Sequence, residues 1–165
     1  MKVANLLKTK GDALFTVTPK TRLSAAVITM ADQDIGSVVV MEGGELKGII
    51  TFREVLRVLA RRQLENRLGP TPPVAELLCE QVMIAHPAVA NSETDMDELR
   101  ELMLAQRQRY IPVVDGKTLV GVVSYHDVMR SENEQQKFEN SMLKAYIADW
   151  PEDSAGQNQS QNPLH

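Results

Sequence analysis

Two spacings of apolar residues alternate along the chain, and their order occurs twice. Leu23, Ala26, Val27 and Met30 stand at i, i+3, i+4 and i+7, the spacing of one helix face. Ser37-Val38-Val39-Val40-Met41 follows as a valine-rich run suited to a strand, then Gly43-Gly44, then a second apolar run from Leu46 to Thr51. Gly-Gly between such runs predicts a tight hairpin, because glycine accepts positive φ. Further on, Met96, Leu99 and Met103 repeat the helical spacing. Ile111 to Val114, Asp115-Gly116 and Leu119 to Ser124 repeat the hairpin. Thr94 with Asp97 predicts a capping box at the start of that helix. Thr16-Val17 and Ala88-Val89-Ala90 predict a short extended lead-in to each set, and a helix follows each hairpin, from Phe52 to about Arg62 and from Tyr125 to about Ser131. Each unit therefore reads β-α-β-β-α, an α/β fold of two pseudo-symmetric units sharing an interface.

The repetition is visible residue by residue. Val3-Ala4-Asn5-Leu6-Leu7 returns as Val74-Ala75-Glu76-Leu77-Leu78. In the hairpins, Leu46 falls on Leu119, Gly48 on Gly121, Val55 on Val128 and Arg57 on Arg130. The organisation expected is a first repeat over 1–62, a linker over 63–73, a second repeat over 74–131, a C-terminal helix over 132–150 and a disordered polar tail over 151–165. Gly69-Pro70-Thr71-Pro72-Pro73 cannot continue a helix. Phe138, Met142, Leu143, Tyr146 and Ile147 form a stripe suited to burial, and Trp150-Pro151 ends it.

Composition narrows the function. Aromatics are 4% of the 165 residues, so the core is aliphatic. A formal charge of −4 argues against binding along a nucleic-acid backbone, which usually needs a basic surface. Cys79 is the one cysteine; it permits no internal disulfide and suits a reducing compartment. The N-terminal residues hold no long apolar stretch or small-residue cleavage site, and no run approaches the ~18 apolar residues that span a bilayer. A cytoplasmic location without a membrane partner is expected. There is no phosphate-binding Gly-rich loop, dinucleotide fingerprint, zinc-ligand spacing or supported Ser-His-Asp set, so neither an enzyme nor a metal site is expected.

Gly48-Ile49-Ile50-Thr51-Phe52-Arg53-Glu54 and Gly121-Val122-Val123-Ser124-Tyr125-His126-Asp127 occupy the same place after their hairpins. Together with Arg109-Tyr110-Ile111-Pro112-Val113-Val114-Asp115, they resemble the motifs of the cystathionine β-synthase (CBS) domain pair, or Bateman module. The resemblance covers roughly Met1 to Ser131, and the helix into Ala145-Tyr146-Ile147-Ala148 is similar to the ending of stand-alone bacterial pairs. It implies a regulatory ligand of adenine type (AMP, ADP, ATP, NAD(H) or S-adenosylmethionine) in the cleft between repeats, and homodimers of pairs.

The same resemblance implies the site. Asp127 matches the family's ribose-binding acid, and a carboxylate can accept from both vicinal hydroxyls. Ser124 begins the helix whose free N–H groups attract phosphate. Thr51 and Glu54 are the matching residues of the first repeat, with Glu in place of the usual Asp. An apolar adenine slot would draw on Thr16, Val17, Val38, Val89 and Ile111, and phosphate contacts on Arg53, Arg107, Arg109 and His126.

Plainer roles stand beside these. Ser/Thr-x-x-Asp/Glu is also a capping box. Arg53, Arg57 and Arg61 share one helix face, which suits solvent. Cys79 suits packing beside Leu77, Leu78 and Val82. Two readings result: a sensor that passes ligand binding to an unidentified protein target, or an interaction module whose nucleotide site is vestigial.

Overall fold

The computed structural model describes residues 1–11, 14–65 and 76–149; Gly69–Pro73, Val74, Ala75 and the chain from Trp150 through the tail lie outside them. The chain divides into two compact units, Met1–Val128 and a segment starting at Met129.

The chain opens with α1 (Val3–Lys10). The first repeat follows as β1 (Thr16–Val17), α2 (Leu23–Asp32), β2 (Ser37–Glu42), β3 (Glu45–Thr51) and α3 (Phe52–Glu65). The second half holds α4 (Cys79–Val82), β4 (Ile84–Ala85), α5 (Met96–Gln106), β5 (Tyr110–Asp115), β6 (Thr118–Ser124) and α6 (Tyr125–Ala148). One sheet has the order β1-β2-β3-β4, with β1 parallel to β2 and the other pairs antiparallel. The other sheet is the β5-β6 hairpin. In place of a leading strand it has one parallel bridge, Ala90 to Val113.

The hairpins close as the glycines require, with one shift. Gly43 and Gly44 both take positive φ, +59° and +77°, the pattern of a type I′ turn. In the second hairpin Asp115 still pairs with Thr118. The turn is therefore Gly116-Lys117, with Gly116 at φ +62°, one residue beyond the Asp115-Gly116 expected from sequence. Thr94 does not cap α5. The N-cap is Asp95, without a side-chain bond. Thr94 Oγ1 instead accepts the Asn91 N–H at 3.1 Å, which draws it back into the preceding turn.

The leading segments are exchanged between repeats. Val3 and Leu6 of α1 lie in the core of the second repeat, with Leu99, Ile111, Val113, Val123 and Val128. Cys79 lies in the core of the first, with Leu23, Ala26, Met30, Val38, Val40 and Ile50. Backbone bonds fix both docks: Val3 N–H donates to the Thr94 carbonyl at 2.9 Å, and Leu23 N–H to the Leu77 carbonyl at 2.8 Å. The aligned glycines explain how the segments approach so closely. A Cβ on Gly48 would lie 2.6 Å from the Ile84 carbonyl, and one on Gly121 would lie 2.7 Å from Leu7 Cδ2. The packing thus crosses the boundary between the sequence repeats.

After the second hairpin the chain runs as one helix, Tyr125–Ala148, with no break near Ser131. No Gly or Pro interrupts it. Phe138, Met142, Leu143, Tyr146 and Ile147 are 57–66% exposed, where the sequence pattern suited burial. Among the described residues, no helix is long and apolar enough to cross a membrane.

Candidate functional site

β3 ends at Thr51, and α3 begins at the next residue. The Glu54 side chain folds back on this junction. Its Oε2 accepts the Thr51 N–H at 2.7 Å and the Thr51 hydroxyl, while the Arg53 N–H donates to Thr51 Oγ1 at 3.2 Å. Local capping is therefore one role of this motif. It is not the whole of it, because Glu54 is only 4% exposed and its other oxygen, Oε1, is buried with no hydrogen-bond partner among the described residues. A buried carboxylate oxygen without a donor costs free energy, roughly 1–3 kcal/mol or more for a charged group.

Glu54 lines a cavity of about 320 Å³ whose opposite wall comes from the second repeat: Arg107, Gln108, Arg109 and Tyr110. Gln108 holds that wall in place. Its amide donates to the Ala88 carbonyl at 3.0 Å and the Tyr110 carbonyl at 2.9 Å, and its Oε1 accepts the Ala88 N–H at 3.2 Å. Arg53 reaches across and donates to the Arg107 carbonyl at 2.8 Å. The cavity is therefore lined by polar Thr51 and Glu54, by Phe52, Leu56, Ile84 and Tyr110, and by three arginines, Arg53, Arg107 and Arg109. Burial pushes the Tyr110 hydroxyl above its ordinary pKa, with Arg109 opposing and Asp127 adding to the rise.

The matching motif of the second repeat is arranged differently. Ser124 N–H donates to Asp127 Oδ2 at 2.8 Å, and Asp127 N–H donates to Ser124 Oγ at 3.1 Å, a reciprocal capping box. Lys10, at the end of the exchanged α1, donates to the same Asp127 oxygen and to the Val122 carbonyl, both at 2.7 Å. Burial pushes the Asp127 carboxyl up, but the Lys10 ammonium and the Ser124 donors outweigh it and hold the pKa below the usual range. On the same side of the molecule, Tyr110 packs its hydroxyl against Gly36; a Cβ there would come within 1.8 Å of it.

Of the residues singled out from sequence, Thr51, Arg53, Glu54, Arg107 and Arg109 meet in one cavity. Ser124 and Asp127 meet each other and Lys10, and His126 is exposed beside them. Val38 and Ile111 are fully buried, one in each core, so their side chains offer no wall to a ligand. Thr16 and Val17 line a separate cavity of about 610 Å³ with Lys20, Glu42, Gly43 and Gly44. Val89 is exposed and lies outside these cavities. Gln108 and Tyr110 were not singled out, and Lys10 carries no motif at all. Among the described residues, no three His, Cys, Asp or Glu side chains gather as a metal site would need.

The family model described as CBS domain matches this chain twice, over residues 10–61 and 79–134. The chain belongs to the CBS-domain family. It is 30% identical over 153 residues to the mitochondrial CBS domain-containing protein CBSX3 of Arabidopsis thaliana, covering 88% of this chain and 71% of that one. Among solved structures, the CBS-domain containing protein ATU1752 from Agrobacterium tumefaciens matches with a TM-score of 0.70 at 27% identity, covering 80% of this chain and 99% of that one. CBSX2 in complex with AMP matches with a TM-score of 0.65 over 82% of this chain and 98% of that one; at 19% identity it shows the shared fold. The architecture is that of a CBS pair: two α/β repeats with a C-terminal helix.

Proposed function

We propose that this CBS pair is a regulatory module that binds an adenine nucleotide in the cleft between its repeats and conveys occupancy to a protein target, without catalysing a reaction. The observation that carries this reading is Glu54, whose Oε1 is buried and donor-less and which lines one cavity together with Arg53, Arg107 and Arg109. Ribose hydroxyls are the donors that oxygen lacks, and phosphate oxygens are the acceptors that guanidinium groups fit. The extra methylene of Glu, relative to Asp127, does not stop the carboxylate from closing on Thr51. The AMP complex of CBSX2 supports the ligand class, because it shares this fold.

The Asp127 motif offers the same chemistry, but a ligand there must first displace Lys10. That ion pair favours the second reading, an interaction module with a vestigial site, for this half of the molecule. Exposed Phe52, Leu56 and Leu59 on α3 support a homodimer of pairs. CBSX3 is a mitochondrial relative, so family membership leaves the compartment open; a single unpaired cysteine suits a reducing one, such as the cytoplasm.

The test is thermal unfolding with AMP, ATP, NAD, NADH and S-adenosylmethionine, on the native chain and on Glu54→Ala and Asp127→Ala. A ligand at 100 times its dissociation constant adds about 2.7 kcal/mol, roughly 5–10 °C for a chain of this size. A shift that Glu54→Ala abolishes supports the reading. If no compound moves the midpoint, the interaction-module reading replaces it.

A further inference from the structure

The two clefts differ in charge in a way that the fold does not require. Hairpin register makes Ser37–Thr51 in the first repeat equivalent to Tyr110–Ser124 in the second. The positions flanking these strands then correspond as well. Arg107 stands where the first repeat has Asp34, Arg109 where it has Gly36, and Arg53 where the second repeat has His126. Each of these substitutions adds an arginine, and all of them border the Glu54 cavity.

Backbone geometry strengthens the point at Arg107. It closes α5 in the left-handed region at φ +51°, as Asp34 does after α2. Aspartate tolerates that conformation, whereas arginine has no such advantage and glycine would serve the backbone better. Nor are the guanidinium groups neutralised. Among the described residues, none of Arg53, Arg107 and Arg109 has a carboxylate partner. The Glu54 cavity also continues past them. A second cavity of about 360 Å³ shares Arg53, Arg107, Gln108 and Arg109 with the first and extends toward Leu104 and Tyr125. The arginines thus stand between two adjoining spaces, in a chain whose net charge is −4.

We infer that this trench is built for a polyphosphate: its ligand is an adenosine di- or triphosphate, held in preference to the monophosphate or to a cationic adenosyl compound. This rests on the reading of the cleft as an adenine-nucleotide site. The nucleoside occupies the Glu54 cavity, and the phosphate chain passes between the arginines into the second. One phosphate can engage part of that set, and each further phosphate brings acceptors to guanidinium groups that have no carboxylate partner among the described residues.

The experiment is isothermal titration of the full chain, with divalent cations chelated, against AMP, ADP, ATP, S-adenosylmethionine and inorganic tripolyphosphate. Arg53→Gln and Arg109→Gln are titrated alongside, with their unfolding midpoints as fold controls. ATP is expected to bind at least about tenfold more tightly than AMP, the size of one added charge-assisted interaction. The ATP-to-AMP affinity ratio is expected to fall in both variants, and tripolyphosphate to compete with ATP. AMP or S-adenosylmethionine binding as tightly as ATP overturns the polyphosphate assignment and leaves the adenine-nucleotide reading standing. So does an equal loss of AMP and ATP affinity in the variants. Binding of tripolyphosphate without any adenine compound does the reverse: the trench assignment holds and the adenine reading falls. Absence of all binding removes both.

Discussion

Lys10 and Asp127, 117 positions apart in sequence, meet at 2.7 Å across the junction between α1 and the start of α6. The pair ties the exchanged N-terminal helix to the second repeat's motif. It gives Asp127 a partner that Glu54 lacks.

Lys10→Ala removes that partner from a carboxylate whose side chain is 14% exposed. A loss of about 1–3 kcal/mol is expected in urea unfolding at neutral pH, the cost of a largely buried charge that loses its cation and keeps only Ser124 as donor. The acid limb supplies a second check. The folded pKa of Asp127 lies below its unfolded value, so its contribution is complete above the unfolded pKa and disappears as pH falls through the folded one. Asp127→Asn is expected to flatten the decline of the midpoint in that acid window.

Glu54→Ala deletes the acceptor for the Thr51 N–H and hydroxyl at the start of α3. A cost of about 1 kcal/mol is expected from the lost cap. It is offset in part because the buried, donor-less oxygen disappears with it. Chemical denaturation of the ligand-free chain measures the net change. A loss well beyond ~2 kcal/mol means that Glu54 holds more of the fold than its cap.

Gly48→Ala and Gly121→Ala occupy equivalent positions but differ in consequence. At Gly48 the new Cβ meets the Ile84 backbone carbonyl, which cannot move without breaking β4 from β3. At Gly121 it meets the end of the Leu7 side chain, which can rotate. About 2–3 kcal/mol is expected for the first and about 1 kcal/mol for the second. Equal midpoints for the two variants contradict this account of the exchanged segments.

Cys79 is fully buried, and burial pushes its thiol above the ordinary value. Native protein is expected to react with a thiol reagent only as fast as the first core opens, and unfolded protein at once. Reaction at the unfolded rate under native conditions contradicts the placement of Cys79 in that core.

Much of the fold was legible because it is local. Glycines at hairpin turns, apolar spacing and the two aligned Gly-x-x-Thr/Ser-x-x-acid motifs depend on neighbours in the chain, and they appear where expected apart from the one-residue shift of the second turn. The likeness of Val3–Leu7 to Val74–Leu78 was also legible, but similarity cannot say which core each copy enters. The exchange depends on contacts such as Val3 to Thr94, more than ninety residues apart. For the candidate site, the motifs single out Thr51, Arg53, Glu54 and Arg109, and the structure brings these side chains to one cavity. Val38 and Ile111 enter the adenine slot through the family resemblance alone, and the structure places both side chains inside the cores. Lys10 had no signal: a lysine ending an amphipathic helix is ordinary, and only the tertiary fold sets it against Asp127.

The exchange of leading segments also governs how the chain can be made. The first core is complete only once Cys79 and Met83 have docked, and α1 has no core to enter until the residues of β6 exist. A ribosome that has released only the first repeat therefore exposes a half-finished domain with an unpartnered α1 ahead of it. The two repeats cannot be produced as separate polypeptides without each losing a piece of its interior.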